Sequence, residues 1–429
     1  MRTRVLLTGA TGAIGLALLP ELLDLGFIVY CLVRSRPGQS AEHRLRAVTR
    51  HPNAIAIDGD ITKPLGGIDL TQLPPIDKFV HAAADTSLHH ACGAKVLAAN
   101  QAGTVRLLAL AEALGWPEFH YIGTAYIAGD APVLGEQALG ETLCVGRPRN
   151  PYEASKFEAE CAVRGYRGSI SILRPSIVVG RSDDGSAPLL EGWYGFFKSA
   201  WRLRETLRRG NYFDEHGLRL FGTRDYQLKL PVTIKNAEST TLNLIQIDWL
   251  ARTTAHLIAL PARGRTYNVT HPKSVTVGAL LRATLVALDL SSAVLVSEED
   301  KPGWTLSPVK LAVGRLINRE LDRYRPYLQH APQFVSANLY ADLGPGWPAP
   351  PQITAAYIDL TMKAIEQDWL EDFDGDNTGG SGVVALPPGI RPGEAVSDGE
   401  RGLVGGERGN GTESSDSGVF ERLSRTLLT

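Results

Sequence analysis

Cysteine, long apolar runs and an excess of either charge are all scarce in this chain of 429 residues. Only four cysteines occur, Cys31, Cys92, Cys144 and Cys161, far apart and with no Cys-x-x-Cys spacing. A disulfide framework and a thiolate zinc site are excluded as organising devices, and a reducing cytoplasm fits. No stretch approaches the roughly 18 uncharged apolar residues that a spanning helix needs. The run Val5-Leu6-Leu7 follows two arginines but breaks at once into Thr8-Gly9-Ala10-Thr11-Gly12, so a buried strand is expected there rather than a secretory leader. Net charge is -2 at pH 7, which offers no electrostatic footprint for nucleic acid or an anionic membrane. The 44% hydrophobic and 21% charged content is a globular balance, sufficient for one large domain or two smaller ones. A soluble, cytoplasmic protein is expected.

What the chain does have is alternation. Short apolar runs at Arg4–Leu7, Ile28–Val33, Ala54–Asp58, Phe79–Ala82, His120–Gly123 and Ile170–Leu173 predict strands. Amphipathic stretches at Ile14–Leu25, Ala94–Leu114 and Tyr152–Arg164 predict helices between them. Strands and helices at this spacing make βαβ units, hence an α/β fold: a doubly wound parallel sheet of the Rossmann type. After Gly180 the rhythm is lost until a strand at Leu242–Ile247, a helix at Trp249–Leu260 and a strand at Thr266–Val269. The expected division is therefore interleaved. A dinucleotide-binding domain takes residues 1–180 and 241–271, and a smaller substrate-binding cap takes 181–240 and 272–371. From Asp372 the composition turns to Gly, Ser, Glu and Arg with little apolar periodicity, which predicts a disordered tail over 372–429. Asp372-Phe-Asp374-Gly-Asp376 has a calcium-like spacing, but the loop lacks the glycine and glutamate that such a site requires. His89-His90 has no carboxylate or cysteine at ligand spacing, so no metal is expected.

The first predicted strand runs into Gly9, Thr11, Gly12, Ala13, Ile14 and Gly15 and then a helix. Glycines three apart let a backbone turn tightly and approach a pyrophosphate whose charge sits at a helix N-terminus. The end of the second strand, about twenty residues on, is where an acid would bind the ribose hydroxyl of NAD. Here it reads Val33-Arg34-Ser35-Arg36, with Arg44 following, and no acid stands there. Arginines at that place suit a 2′-phosphate, so NADP(H) is the expected cofactor.

Asn150-Pro151-Tyr152-Glu153-Ala154-Ser155-Lys156 puts a tyrosine and a lysine four apart. If Pro151 starts a helix, both lie on one face. A nearby ammonium would lower the phenol pKa toward the working range, so that Tyr152 exchanges a proton with a substrate oxygen as hydride moves. His81 is expected to be a packed strand residue.

The order of these motifs resembles the extended short-chain dehydrogenase/reductase superfamily over roughly residues 3–270. The resemblance rests on Thr8–Gly15, Gly59-Asp60-Ile61, Val80-His81-Ala82-Ala83-Ala84, Asn100, Thr124, Tyr152 with Lys156, and Arg174-Pro175-Ser176. It implies that Asp60 and Ile61 contact adenine and that Ala82, Ala83 and Ala84 line the cofactor. It further implies that Thr124 bonds the substrate carbonyl, that Lys156 also holds the nicotinamide ribose, and that Asn100 supports cofactor and proton relay. Pro175 and Ser176 would meet the nicotinamide amide.

Cys31-Leu-Val-Arg34, Ala41-Glu-His-Arg44-Leu45, Tyr121-Ile-Gly-Thr124-Ala125-Tyr126 and Arg174-Pro-Ser-Ile-Val-Val-Gly180 are closest to the thioester reductases and fatty acyl-CoA reductases. That branch implies reduction of an acyl thioester, on CoA or an acyl-carrier protein, by NADPH to an aldehyde or alcohol. The family's habit implies a homodimer. Trp193–Arg209 is either the wall of an acyl tunnel or an amphipathic cap helix with a solvated basic face. The alternatives are a ketone/alcohol oxidoreductase or nucleotide-sugar epimerase/dehydratase on the same core, and a non-catalytic NADP-binding regulator.

Overall fold

The computed structural model describes residues 2–187, 237–288 and 324–378, together with Tyr194, Lys198, Trp201 and Glu205 and four two-residue strands. Nine strands matter for the site: β1 (Arg4–Thr8), β2 (Ile28–Val33), β3 (Ala54–Asp58), β4 (Lys78–His81), β5 (Glu118–Ile122), β6 (Ile170–Pro175), β7 (Ile177–Val179), β8 (Leu244–Gln246) and β9 (Arg265–Val269). All but β7 and β8 form one seven-stranded sheet, ordered β9-β6-β5-β4-β1-β2-β3. Every pairing in it is parallel. Strands buried on both faces carry continuous apolar runs, and in β1 every residue from Val5 to Thr8 is fully buried.

The helices that cover this sheet are α1 (Ala13–Asp24), α2 (Ala41–Arg46), α3 (Gly93–Leu97), α4 (Gly103–Ala113), α5 (Pro151–Arg164) and α6 (Ile247–Ala259). One face packs on α1 and α6, through Leu18, Leu22, Leu250 and Ile258 among others. The opposite face packs on α4 and α5, through Leu107, Leu110, Ala159 and Val163. Apolar residues three or four apart give each helix the stripe that this burial needs. The winding reverses between β1 and β4, and the crevice outside their carboxyl ends is where such sheets bind ligands.

A third core lies off the sheet. It is built on α7 (Val277–Ala287), α8 (Arg325–Gln329) and the long α10 (Ala355–Thr378), with Tyr126, Val179 and Leu242 contributed from the other side. Between α8 and α10 the short α9 (Ala337–Leu343) returns to the sheet: Leu339 joins the α1–α6 core, and Asp342 bonds Arg265 and Tyr267 of β9 at 2.7 Å each.

Three details depart from the expected elements. The run Leu242–Ile247 is interrupted at Asn243, whose amide bonds both the N–H and the carbonyl of His271, and β8 pairs with β7 outside the main sheet. The helix expected over Ala94–Leu114 contains a π turn at Ala98–Ala102, which holds Asn100. Finally, α10 continues to Thr378, so the first part of the segment expected to be disordered is helical. The rest of that segment lies outside the described residues, apart from the strand Arg391–Pro392. Among the described residues no helix is long and apolar enough to cross a membrane.

Candidate active site

The loop after β1 is a backbone-on-backbone contact. Gly9 has φ +79°, and a Cβ there would stand 2.6 Å from the amide nitrogen of Ala83. A Cβ on Gly15 would stand 2.0 Å from the Gly9 carbonyl oxygen. Only glycine allows this packing, and it delivers α1 with its amino end toward the crevice. The N-cap, Gly12, places no side chain over the free amides, and no acid occupies the first turn. Those donors and the helix dipole suit an anion. Below the loop, His81 bridges Thr8 Oγ1 at 2.8 Å and Thr104 Oγ1 at 3.0 Å. Burial pushes its pKa down to about 3, so it is a neutral packed strand residue, as expected.

A cleft of about 710 Å³ opens in front of the loop. It is lined by Gly9, Thr11, Gly12, Ala13, Ile14, Arg34, Arg36, Arg44, Asp60, Ile61, Ala82, Ala83, Ala84, Tyr152 and Lys156. Gly15 sits behind it, in the packing just described. Three arginines share one end. Arg44 donates to the Arg34 carbonyl and, at 3.2 Å, to Thr11 Oγ1. Partial burial, then the positive charges of Arg36 and Arg34, lower its pKa. An anion placed among them relieves that repulsion. Asp60 lies 3.7 Å from Arg34; against the pull of partial burial, the bonds from Thr62 and the charge of Arg34 hold its carboxyl below the usual range. A dinucleotide fits this lining.

The other end of the cleft is formed by α5. Asn150 caps it by accepting from the Glu153 N–H at 2.9 Å, and Pro151 fills the first position. Tyr152 is half-buried and borders the same cavity as Thr124. Lys156 is 3% exposed; its ammonium donates to the Ile122 carbonyl at 2.8 Å and lies 4.4 Å from the centre of the Tyr121 ring. Burial pulls its pKa down to about 7, with Glu160 opposing.

This corrects one expectation. The lysine was to lower the phenol pKa, yet burial pushes Tyr152 up to about 12, eased by the neighbouring Thr124 side chain and reinforced by the charge of Glu153. The physical reason is the direction of the amine, which is aimed at the end of β5 and is itself near neutrality.

Asn100 is buried, and its amide binds the loop after β4 to the start of α5. It accepts from the Asp85 N–H at 2.7 Å and donates to the Asp85 carbonyl at 2.8 Å and to Ser155 Oγ at 2.9 Å. Ser155 in turn donates to the Tyr152 carbonyl at 2.8 Å. Arg174 of the Arg-Pro-Ser motif is fully buried in a two-pronged pair with Glu160, at 2.5 and 3.0 Å. It stiffens the sheet under α5 and does not face the cleft.

Pro175, Ser176 and Thr124 are absent from the lining of the cleft and border a second cavity of about 260 Å³. The two voids share Ala13, Ile14, Thr86, Gly123 and Tyr152, so they meet at the tyrosine. Sequence reasoning missed most of the second cavity, including Tyr126, Val179, Leu242, Tyr324, Tyr327 and Leu328. It also missed Asp85 and Arg149, of which only the latter left a local trace, its spacing of four from Glu153. Of the segment Trp193–Arg209, Tyr194 lines this cavity and Trp201 packs on Trp369; most of the segment lies outside the described residues.

The family model for male sterility proteins matches residues 7–216. A PKS-NRPS hybrid synthetase of Aspergillus fumigatus is 33% identical over 189 residues, which are 41% of this chain and 5% of that protein. The chain thus spans a small fraction of the length of this relative. Among solved structures, the terminal R domain from the myxalamid PKS-NRPS biosynthetic pathway has a TM-score of 0.63 at 21% identity, covering 86% of this chain and 92% of that one. A thiolation-reductase di-domain from an archaeal non-ribosomal peptide synthetase also scores 0.63, at 18% identity over 87% of this chain and 76% of that one.

The nucleotide loop, the doubly wound sheet and the Thr–Tyr–Lys arrangement are those of an NAD(P)-dependent oxidoreductase, and the chain is similar to the extended short-chain dehydrogenase/reductase superfamily.

Proposed function

We propose that the chain is an NADPH-dependent reductase of acyl thioesters, held on coenzyme A or on a carrier protein, with an aldehyde or alcohol as product. One observation carries this reading. Thr124 and Tyr152 stand together where a cleft ringed at its far end by Arg34, Arg36 and Arg44 meets a cavity whose described lining carries no charge.

The cleft would hold the dinucleotide. Gly9, Thr11, Gly12 and Ala13 would take the pyrophosphate, the arginines the 2′-phosphate, Asp60 and Ile61 the adenine, and Ala82 to Ala84 the length between. Lys156 would hold the nicotinamide ribose, and Pro175 and Ser176 the ring's outer edge. What the bound cofactor supplies is a hydride to the carbonyl carbon. Thr124 and Tyr152 hydroxyls donate to the carbonyl oxygen and stabilise the charge that develops on it. When this oxygen re-forms its double bond, the C–S bond breaks and thiolate leaves. Asn100 keeps the loop after β4 and the first turn of α5 in register, and so positions Tyr152. We assign the substrate-binding role to residues 181–240 and 272–371, apart from the return of α9 to the sheet.

A nucleotide-sugar substrate would bring a second diphosphate, and no cationic side chain lines the second cavity among the described residues. A ketone or alcohol substrate lacks the sulfur leaving group. The likeness to a thiolation-reductase di-domain supports a carrier domain as partner.

The test is NADPH consumption against acyl-CoAs, acyl-carrier proteins, ketones and nucleotide sugars. Reduction of thioesters with release of free thiol supports the reading. Turnover of ketones or sugars alone overturns it.

A further inference from the structure

The second cavity carries more information than its position. Its described lining holds no Asp, Glu, Lys or Arg. Two of its tyrosines have their phenol oxygens already engaged by protein. Tyr194 accepts from the Gly180 N–H at 2.7 Å, and Tyr327 accepts from Asn150 Nδ2 at 2.7 Å. The rings therefore offer a ligand their apolar faces and edges. Val179, Leu242 and Leu328 add to the lining of this half-open space of about 260 Å³. A dry apolar cavity of about 150 Å³ admits benzene. The space suits one ring on a short stem, or a short branched chain, and not a long one.

The wall is also stiff. Arg149 grips the fully buried Glu153 with two bonds, at 2.7 and 3.1 Å. Its remaining nitrogen donates to the carbonyls of Pro326 and His330, at 3.2 Å each. Its guanidinium lies 4.4 Å from the centre of the Tyr327 ring. Asn150 and Arg149 thus bolt the α8 segment, which carries Tyr327 and Leu328, to the first turn of the Tyr152 helix. A wall held by buried charge-assisted bonds does not yield to a longer ligand without breaking them.

We propose, resting on the thioester reading above, that this cavity is an acyl site for a compact uncharged group about the size of one aromatic ring, with Tyr327 and Leu328 setting its upper limit. A carboxylate would be buried there without a partner, and a long chain would have to displace the bolted segment.

The experiment uses the full chain with saturating NADPH and pantetheine thioesters of acetic, 3-methylbutyric, phenylacetic, tetradecanoic and succinic acids. The phenylacetyl and 3-methylbutyryl thioesters are expected to exceed the other three in kcat/KM by roughly 10- to 100-fold. Leu328→Ala is expected to raise tetradecanoyl relative to phenylacetyl. The readout is a ratio between substrates, which a general folding defect leaves unmoved, and the wild-type series decides alone if the variant does not fold. Tetradecanoyl or succinyl thioester reduced as fast as phenylacetyl overturns the acyl site and leaves the thioester reading standing. If the dinucleotide binds, as followed by fluorescence, and no thioester is reduced, the thioester reading falls and the acyl site with it.

Discussion

Replacing Lys156 by methionine is expected to stabilise the cofactor-free protein while destroying its activity, and the gain should fade as pH rises. The ammonium is 3% exposed, and burial takes its pKa from 10.5 to about 7. A proton therefore binds the unfolded chain more tightly between these two values. At about 1.4 kcal/mol per pH unit, the folded state of the wild type is penalised by roughly 4 kcal/mol at pH 7. The penalty falls to about 1 kcal/mol by pH 9.5 and vanishes above the unfolded pKa. Methionine of similar length escapes it, but it leaves the Ile122 carbonyl without the donor now at 2.8 Å, a loss of about 1–2 kcal/mol. The variant should be more stable than wild type by roughly 2 kcal/mol at pH 7 and lose about 3 kcal/mol of that difference by pH 9.5. Paired urea titrations at the two pH values measure this, since every other titrating group cancels in the variant-minus-wild-type difference. A difference that stays flat with pH would refute the argument, because it would mean that the amine is not held in a medium hostile to its charge.

Other substitutions probe the remaining parts of the site. Tyr152→Phe should reduce turnover by about 10²- to 10⁴-fold and leave NADPH affinity, read by fluorescence titration, nearly unchanged; an active variant would move proton donation to another group. Arg34→Ala should weaken NADPH by roughly tenfold or more and NADH far less, and equal losses would make Arg34 a general surface charge. Glu160→Ala strands the fully buried Arg174 guanidinium and should cost about 3–5 kcal/mol in urea unfolding; a near-neutral result would show that the buried pair is expendable. Gly15→Ala drives a Cβ to 2.0 Å from the Gly9 carbonyl oxygen and should abolish dinucleotide binding, whereas retained affinity would mean that the loop has another packing available.

The parts of this molecule that sequence made legible are those whose cause is local. Residues Val5 to Thr8 read as a strand because burial on both faces demands an unbroken apolar run, and Gly9 and Gly15 were marked because no Cβ fits there. The four-residue spacing of Tyr152 and Lys156 placed both on one helix face, but it did not fix where the amine points. That direction depends on Ile122, 34 positions earlier, whose carbonyl terminates β5. The second cavity is less legible still. Its wall depends on Arg149 and Asn150 reaching Tyr327, 177 positions from Asn150, and on Tyr194 reaching Gly180. A tyrosine whose hydroxyl is consumed by a distant amide has the same one-dimensional signature as one that offers its hydroxyl to a ligand. Specificity in this fold is accordingly written in pairings of high sequence separation, while the reaction is written in short motifs. For that reason the proposed reaction type is read from Thr124, Tyr152 and Lys156, and the proposed acyl group only from what the third core places around Tyr327.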